Sequence, residues 1–249
     1  HKDLERARQV WLGDRPNVRL EAAAGDPAEE ILRAAERAAV DLIVMATHGR
    51  GALGRWTIGS VADRVARTSP VPVMLVRPVE EMPAAPGPAA IERLIVPLDG
   101  SPTATQALPF AGVLALRLNI PVLLVSVADL PPDLSGPLVY AAAYSEEVYN
   151  ELIAASQERA REALTTAATS LRDAGVTVGE QILEGSVAEA IAGAAGPRDV
   201  IVMTSHGRGG VKRWVLGSVA TKLIHHGNVP VVLVPSVPQR EEAADERSP

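Results

Sequence analysis

Displaced by 158 residues, the sequence lies on itself: "MATHGRGALGRWTIGSVAD" from Met45 falls on "MTSHGRGGVKRWVLGSVAT" from Met203. Asp41 falls on Asp199, Gly49 on Gly207, Trp56 on Trp214, Gly59 on Gly217 and Pro72 on Pro230. Between positions 46 and 76, 15 of 31 residues are identical, so the chain contains an internal duplication. The displacement is far longer than a solenoid repeat and has the length of a whole domain.

The second copy reads from end to end. "IERLIVPLD" (Ile91 to Asp99) is a buried strand, and "GSPTATQALPFAGVLALRLN" opens on a Ser cap and a Pro and continues at helical spacing. "PVLLVSVAD" is a second strand, and the Pro-rich "LPPDLSGPLVYAAAY" a loop. A long amphipathic helix then runs to Gly175, followed by a third strand, "VTVGEQILEG". A short helix capped by Ser186, a fourth strand "DVIVMTSHG", a helix "SVATKLIHHGN" and a fifth strand "VPVVLVPS" complete the copy. Strands alternating with helices call for a parallel, doubly wound five-stranded sheet of order 3-2-1-4-5, with right-handed crossovers. Aromatics are only 3% of the chain, so the core must be Ala, Val, Leu and Ile, which suits such a layered α/β fold.

The first copy holds the second half of this plan. Residues 1–20 match the end of the long helix and the third strand, and nothing matches "IVPLD" or "PVLLVSV". Strands 1 and 2 are central in a 3-2-1-4-5 sheet, so copy 1 should not close a sheet alone. The size of copy 2 sets the expectation of roughly 60–75 further residues upstream. The expected organisation is a partial domain over residues 1–79, a Pro-rich linker over 80–90, a complete domain over 91–237 and a disordered tail over 238–249.

Composition removes several functions. The net charge is −6 with no basic tract, which argues against nucleic acid as a partner. The longest apolar runs, such as "IPVLLVSV", are too short to cross a bilayer, so no membrane partner is expected. There is no cysteine, which excludes disulfides and thiolate metal sites and fits a cytoplasmic location.

The repeated phrase joins a buried strand, a glycine-rich loop and a Gly-Ser that opens a helix. Unpaired amides at a helix N-terminus suit an anion, and glycines let backbone approach a phosphate closely. Ser218 offers a hydroxyl that can cap the helix or bond a phosphate, and Arg208, Lys212 and Arg213 add positive charge. Turn chemistry and simple capping explain the same residues, with Trp56 and Trp214 as core or interface. Copy 1 contains a formal G-x-G-x-x-G (Gly49, Gly51, Gly54), but no acidic residue follows at the dinucleotide spacing and Lys212 replaces its third glycine in copy 2. The Gly-Lys-Ser/Thr of a P-loop is absent from this loop. His48 and His206 have no evident nucleophile beside them and read as loop residues. The adjacent His225 and His226 point about 100° apart on a helix, which is poor for one metal. Tyr140, Tyr144 and Tyr149 border the Pro-rich loop as a lid or an interface patch. No catalytic residue and no metal ligand is assigned.

"LIVPLDGS", "THGRG", "GRWTIGSVA", "KRWVLGSVA" and the closing "VPVMLV" and "VPVVLV" resemble the universal stress proteins, over nearly the whole chain. The family's nucleotide signature is Gly, two residues, Gly, nine residues, then Gly followed by Ser or Thr. Gly49 with Gly59-Ser60 and Gly207 with Gly217-Ser218 meet its later parts, whereas Ala46 and Thr204 stand at its first glycine. The resemblance implies a flavodoxin-like fold, of the adenine nucleotide alpha hydrolase-like kind, as two tandem copies with the first partial. It implies an ATP site, with magnesium accompanying the phosphates, at the carboxyl ends of strands 1 and 4. Asp99 would bond adenine or ribose, Pro97 would shape the pocket and Val127 would pack on the base. Met203 and Thr204 would line the ribose, and Gly207, Arg208, Gly217, Ser218 and Val219 would hold the phosphates. The set carried over in copy 1 is Met45, Ala46, Gly49, Arg50, Gly59, Ser60 and Val61. Taken alone, Asp99 is equally readable as a helix-capping carboxylate before Ser101-Pro102.

The resemblance further implies a nucleotide-responsive regulator of stress or dormancy that acts through an unidentified protein partner. Two alternatives stand beside it: a scaffold that binds no nucleotide and pairs its fifth strands within the chain or in a homodimer, and a slow ATP hydrolase.

Overall fold

The computed structural model describes residues 2–12, 17–47, 58–77, 90–128, 146–205, 216–227 and 229–236. The chain divides into two compact units, residues 1–39 and 40–249. In the first unit, α1 (Lys2–Ala7) runs into a π-helical turn over Arg8–Leu12. Helix α2 (Pro27–Arg37) begins at Asp26, whose carboxylate accepts the Glu29 amide at 3.0 Å, with Pro27 in the first helical position. Residues 17–25 form no strand, although the duplication aligns them with the third strand of a copy.

The second unit is built on one sheet. Its strands are β1 (Ile43–Ala46), β2 (Val73–Val76), β3 (Arg93–Pro97), β4 (Val122–Ala128), β5 (Val178–Glu184), β6 (Asp199–Thr204) and β7 (Val231–Val234). The order is β1-β2-β7-β6-β3-β4-β5, and every neighbouring pair is parallel except β2 with β7. The five strands of the complete copy hold the expected 3-2-1-4-5 order. The sheet nevertheless has seven strands, because the two strands of copy 1 continue it through the antiparallel pair. There Val73 faces Leu233, Met74 faces Val232 and Leu75 faces Val231. The Arg77 guanidinium reinforces this joint by donating to the carbonyls of His225 and Gly227 at the end of α8 (Ser218–His226). A cation suits the negative end of a helix. The duplication does not reciprocate the tie, since Pro235 stands where Arg77 does in copy 1.

Helix α3 (Ser60–Thr68) links β1 to β2, and α6 (Glu146–Asp173) links β4 to β5. Helix α7 (Val187–Ala194) links β5 to β6, and α8 links β6 to β7. The single helix expected after β3 is two, α4 (Pro102–Thr105) and α5 (Leu108–Leu118). Pro109 causes the break, because it has no N–H for the Thr105 carbonyl and its ring crowds that carbonyl. Ser186 stands at the N-cap of α7 as expected, but its hydroxyl makes no cap bond.

The core follows from these periodicities. Central strands are covered on both faces, so β6 and β7 are mostly β-branched and nearly all buried. Helix α6 turns Ala160, Leu164, Ala167, Ala168 and Leu171 inward, one helical stripe, against a cluster that includes Leu94, Val122 and Leu124. On α5 the inward residues are small, and a Cβ on Gly112 would meet Leu171 Cδ2 at 3.0 Å. Below this core, Asp199 is buried. It accepts from Arg93 at 2.5 Å and from the Gly196 amide at 2.8 Å, which ties the first residues of β3 and β6 together. Among the described residues, no helix is long and apolar enough to cross a membrane.

Two substitutions test this packing. Helix α6 ends in a Schellman turn, with Gly175 at φ +86, its amide on the Arg172 carbonyl, and the Val176 amide on that of Leu171. A Cβ there meets nothing within 4 Å, so the cost is purely conformational. Gly175→Ala should therefore lower stability by about 1 kcal/mol and Gly175→Asn by less, read from the urea midpoint at constant m-value. Arg77→Met should cost about 1–2 kcal/mol, and equal midpoints for variant and wild type would mean that the tie across the joint is idle.

Candidate functional site

Strands β3 and β6 are neighbours, yet the chain leaves them in opposite directions, β3 towards β4 and β6 towards β7. Their ladder pairs Arg93 with Asp199, Leu94 with Val200 and Ile95 with Ile201, and ends there. Beyond it, Val96 and Pro97 pair with Leu124 and Val125 on one side. Val202, Met203 and Thr204 pair with Val232, Leu233 and Val234 on the other. The carboxyl ends of β3 and β6 thus part company where strand order reverses, which is where open α/β sheets place ligands.

One lip of this crevice carries Pro97 and Asp99, both half-buried, with Val127 on the adjacent strand β4. Asp99 Oδ1 accepts the Ser101 amide at 2.9 Å, and Ser101 Oγ accepts the Ala104 amide at 3.1 Å. The helix cap is therefore Ser101, with Pro102 in the first turn, and Asp99 holds the cap in place rather than capping the helix itself. The other lip carries Met203, half-buried, and Thr204, buried. Ala46, the copy 1 counterpart of Thr204, is exposed at the end of β1, and Met45 beside it is half-buried.

Helix α8 is brought back to this lip by backbone alone. The residue after β6, Ser205, gives its amide to the Val234 carbonyl at 3.2 Å and takes the Gly217 amide on its own carbonyl at 2.8 Å. The start of α8 is thus tied directly to the end of β6 through a backbone neck. Copy 1 repeats the device: the Thr47 amide reaches Val76 at 2.9 Å, and the Gly59 amide reaches the Thr47 carbonyl at 2.8 Å. These neck positions escaped the reading of the sequence. They carry the polar pair Thr47 and Ser205, one residue past each strand, but a carbonyl acceptor leaves no mark on side-chain choice.

The neck decides what the following amides can do. Gly217 is the N-cap of α8 and Gly59 that of α3, and neither helix has a side-chain cap bond. Ser218 and Ser60 occupy the first helical position, exposed, so the capping role anticipated for Ser218 is not the one it has. Gly217's own amide is spent on the neck, and the first helical bond runs from the Thr221 amide to the Gly217 carbonyl. That leaves the first-turn amides of Ser218, Val219 and Ala220 beside the crevice with no side-chain cap, at the positive end of the helix. Copy 1 presents Ser60, Val61 and Ala62 in the same way, without a counterpart of β3 across from them.

Several residues singled out by sequence lie outside the described residues: Gly49, Arg50, Gly207, Arg208, His48, His206, Lys212, Arg213, Trp56, Trp214, Tyr140 and Tyr144, together with the tail from 238. Tyr149 lies in the first turns of α6, and His225 is half-buried in the last turn of α8.

A family model described as the universal stress protein family matches residues 1–77 and 90–235. Universal stress protein MJ0531 of Methanocaldococcus jannaschii is 31% identical over 145 residues, covering 57% of this chain and 81% of that protein. Universal stress protein Rv2005c of Mycobacterium tuberculosis is 27% identical over 201 residues, which cover 78% of this chain but only 61% of that protein. Among solved structures, the protein MJ0577 superposes with a TM-score of 0.51 at 28% identity, covering 60% of this chain and 99% of its own. A fold with strand order 3-2-1-4-5, a repeated strand-loop-helix neck and a family match across both copies lead to one conclusion: the chain belongs to the universal stress protein family.

Proposed function

We propose that the crevice between β3 and β6 binds an adenine nucleotide, ATP with magnesium accompanying its phosphates. The protein would use nucleotide occupancy to change a surface read by a protein partner, in the cytoplasm. In this reading Pro97, Asp99 and Val127 hold the base and ribose, and Met203 and Thr204 line the ribose. The phosphates sit on the amides of Ser218 and Val219, with Gly207, Arg208 and Gly217 as the further residues that hold them. The observation that carries it is the uncapped helix N-terminus at the lip of a switch-point crevice. Two or three charge-assisted hydrogen bonds at about 1.5–3 kcal/mol each, added to base contacts, correspond to roughly micromolar binding. Copy 1 offers the phosphate half at Gly59, Ser60 and Val61, and no strand of the described sheet stands beside it to carry equivalents of Pro97, Asp99 and Val127.

A second reading, a scaffold without ligand, rests on the antiparallel β2–β7 joint, which already commits both fifth strands to holding the copies together. A slow hydrolase has less support: Asp99 is the carboxylate that the described residues place at the crevice, and its Oδ1 already holds the Ser101 amide.

Isothermal titration separates the first two readings. Nucleotide binding predicts saturable ATP binding in the micromolar range, with adenine nucleotide visible on the freshly purified protein by native mass spectrometry. A folded protein that releases no heat at millimolar ATP belongs to the scaffold reading. Gly217→Asp sharpens the test, because Gly217 has the extended backbone (φ −59, ψ 152) of a good N-cap. The new carboxylate would bond the same amides. Stability should hold or rise by about 0.5 kcal/mol, while ATP affinity falls more than about tenfold. Gly217→Val, which adds bulk without a capping oxygen, should weaken binding more than stability; equal losses of both would mark the glycine as a packing residue.

A further inference from the structure

We propose that Arg77 is a positioning residue for the crevice: copy 1 sets the nucleotide affinity of copy 2 by holding the far end of α8. This control presupposes the nucleotide site proposed above and adds to it a hand from the other copy. The helix whose N-terminus stands at the crevice has only nine residues, Ser218–His226. At about 1.5 Å per residue its ends lie roughly 13 Å apart, so a shift at one end is carried to the other. Ala220, Leu223 and Ile224 form its buried stripe. Apolar contact is non-directional. Such a stripe decides which face turns inward and leaves the axial position to the hydrogen bonds at the two ends, which are directional and short-ranged. At the start that bond is Gly217 to Ser205, at 2.8 Å. At the end it is Arg77, whose guanidinium donates to the His225 carbonyl and, at 3.4 Å, to that of Gly227.

The duplication shows what this tie replaces. Helix α3, the copy 1 counterpart, finishes its last turn with its own residues. The Thr68 hydroxyl donates to the Arg64 carbonyl at 2.8 Å. The Ser69 hydroxyl donates to the Val71 carbonyl at 2.7 Å and accepts the Val71 amide at 3.2 Å. In copy 2 the same two positions are His226 and Gly227, so both hydroxyls are gone. Arg77 answers from the other copy, one residue past β2, whose Val73, Met74 and Leu75 are paired with β7. Its counterpart Pro235 has no side-chain donor to return to α3. The dependence runs one way: α3 is finished within copy 1, and α8 is finished by copy 1.

A slip of about half an ångström lengthens an N–H···O bond beyond its usual range of about 2.7–3.2 Å. Freeing the end of α8 therefore loosens the amides of Ser218 and Val219 on the phosphates. Linkage makes the effect mutual, so ATP tightens the β2–β7 joint by the factor with which the joint tightens ATP.

The test is isothermal titration of ATP into the full chain, compared with Arg77→Met, Arg77→Lys and Gly175→Ala. Gly175→Ala ends α6 with a stability loss of the same order, and its new Cβ meets nothing within 4 Å, so it registers any general effect of destabilisation. ATP affinity should fall about tenfold in Arg77→Met, recover to within about threefold of wild type in Arg77→Lys, which keeps a charged donor, and stay within about twofold in Gly175→Ala. In ligand-free protein the Ser218 and Val219 amide resonances should move in Arg77→Met and not in Gly175→Ala. Wild-type protein supplies a second arm that needs no variant to fold: ATP should slow hydrogen exchange of residues 73–75 at the joint. Wild-type ATP affinity in Arg77→Met overturns the proposal, as does a loss there that Gly175→Ala matches. Unchanged exchange at the joint under saturating ATP overturns it too, and decides the matter if Arg77→Met does not fold. Failure of the nucleotide reading itself looks different: wild-type protein would take up no ATP, and both proposals would fall together.

Discussion

One backbone hydrogen bond, from the Gly217 amide to the Ser205 carbonyl, fixes where α8 can begin. It seats the helix N-terminus beside the end of β6. Without it the uncapped first turn would have no defined relation to the crevice. The same bond in copy 1, from Gly59 to Thr47, shows that the device belongs to the repeat. It also assigns the two members of the Gly-Ser pair different work. The glycine closes the neck and withholds a capping side chain, while the serine is the first residue whose amide is left for an anion.

The second organising constraint is that strand edges must be covered. Copy 1 brings two strands, β1 and β2, to the described sheet. Pairing β2 antiparallel with β7 solves one edge by giving both fifth strands a neighbour, and Arg77 locks the arrangement against the end of α8. It leaves the other edge, on β1, with exposed apolar residues and an exposed Asp41.

Much of this was legible in the sequence, for identifiable reasons. Val- and Ile-rich runs such as "DVIVMT" and "VVLV" read as central strands because both their faces are buried. Gly175 read as a helix end because a Schellman turn needs a left-handed residue. The order of the five strands in copy 2 follows from alternation and crossover handedness. Other features were not legible. The break before α5 comes from the placement of Pro109, which a helical period absorbs without notice. The assignment of the cap to Ser101, with Asp99 behind it, depends on two bonds that the sequence Asp-Gly-Ser-Pro allows in either order. The neck carbonyls of Thr47 and Ser205 are backbone groups and constrain no side chain. The antiparallel joint was foreseeable only as a tendency of the fifth strands to pair, since the sequence does not say which strand a free edge will meet.

The account turns on which amides at the start of α8 are available to an anion, and these can be watched one by one. The measurement is an ATP titration of isotopically labelled protein followed through its backbone amide resonances. The account predicts large, saturating downfield shifts at Ser218, Val219 and Ala220, with Gly217 moving little because it stays bonded to Ser205. Shifts that fail to saturate at millimolar ATP, or that spare these three amides while the protein remains folded, would contradict it.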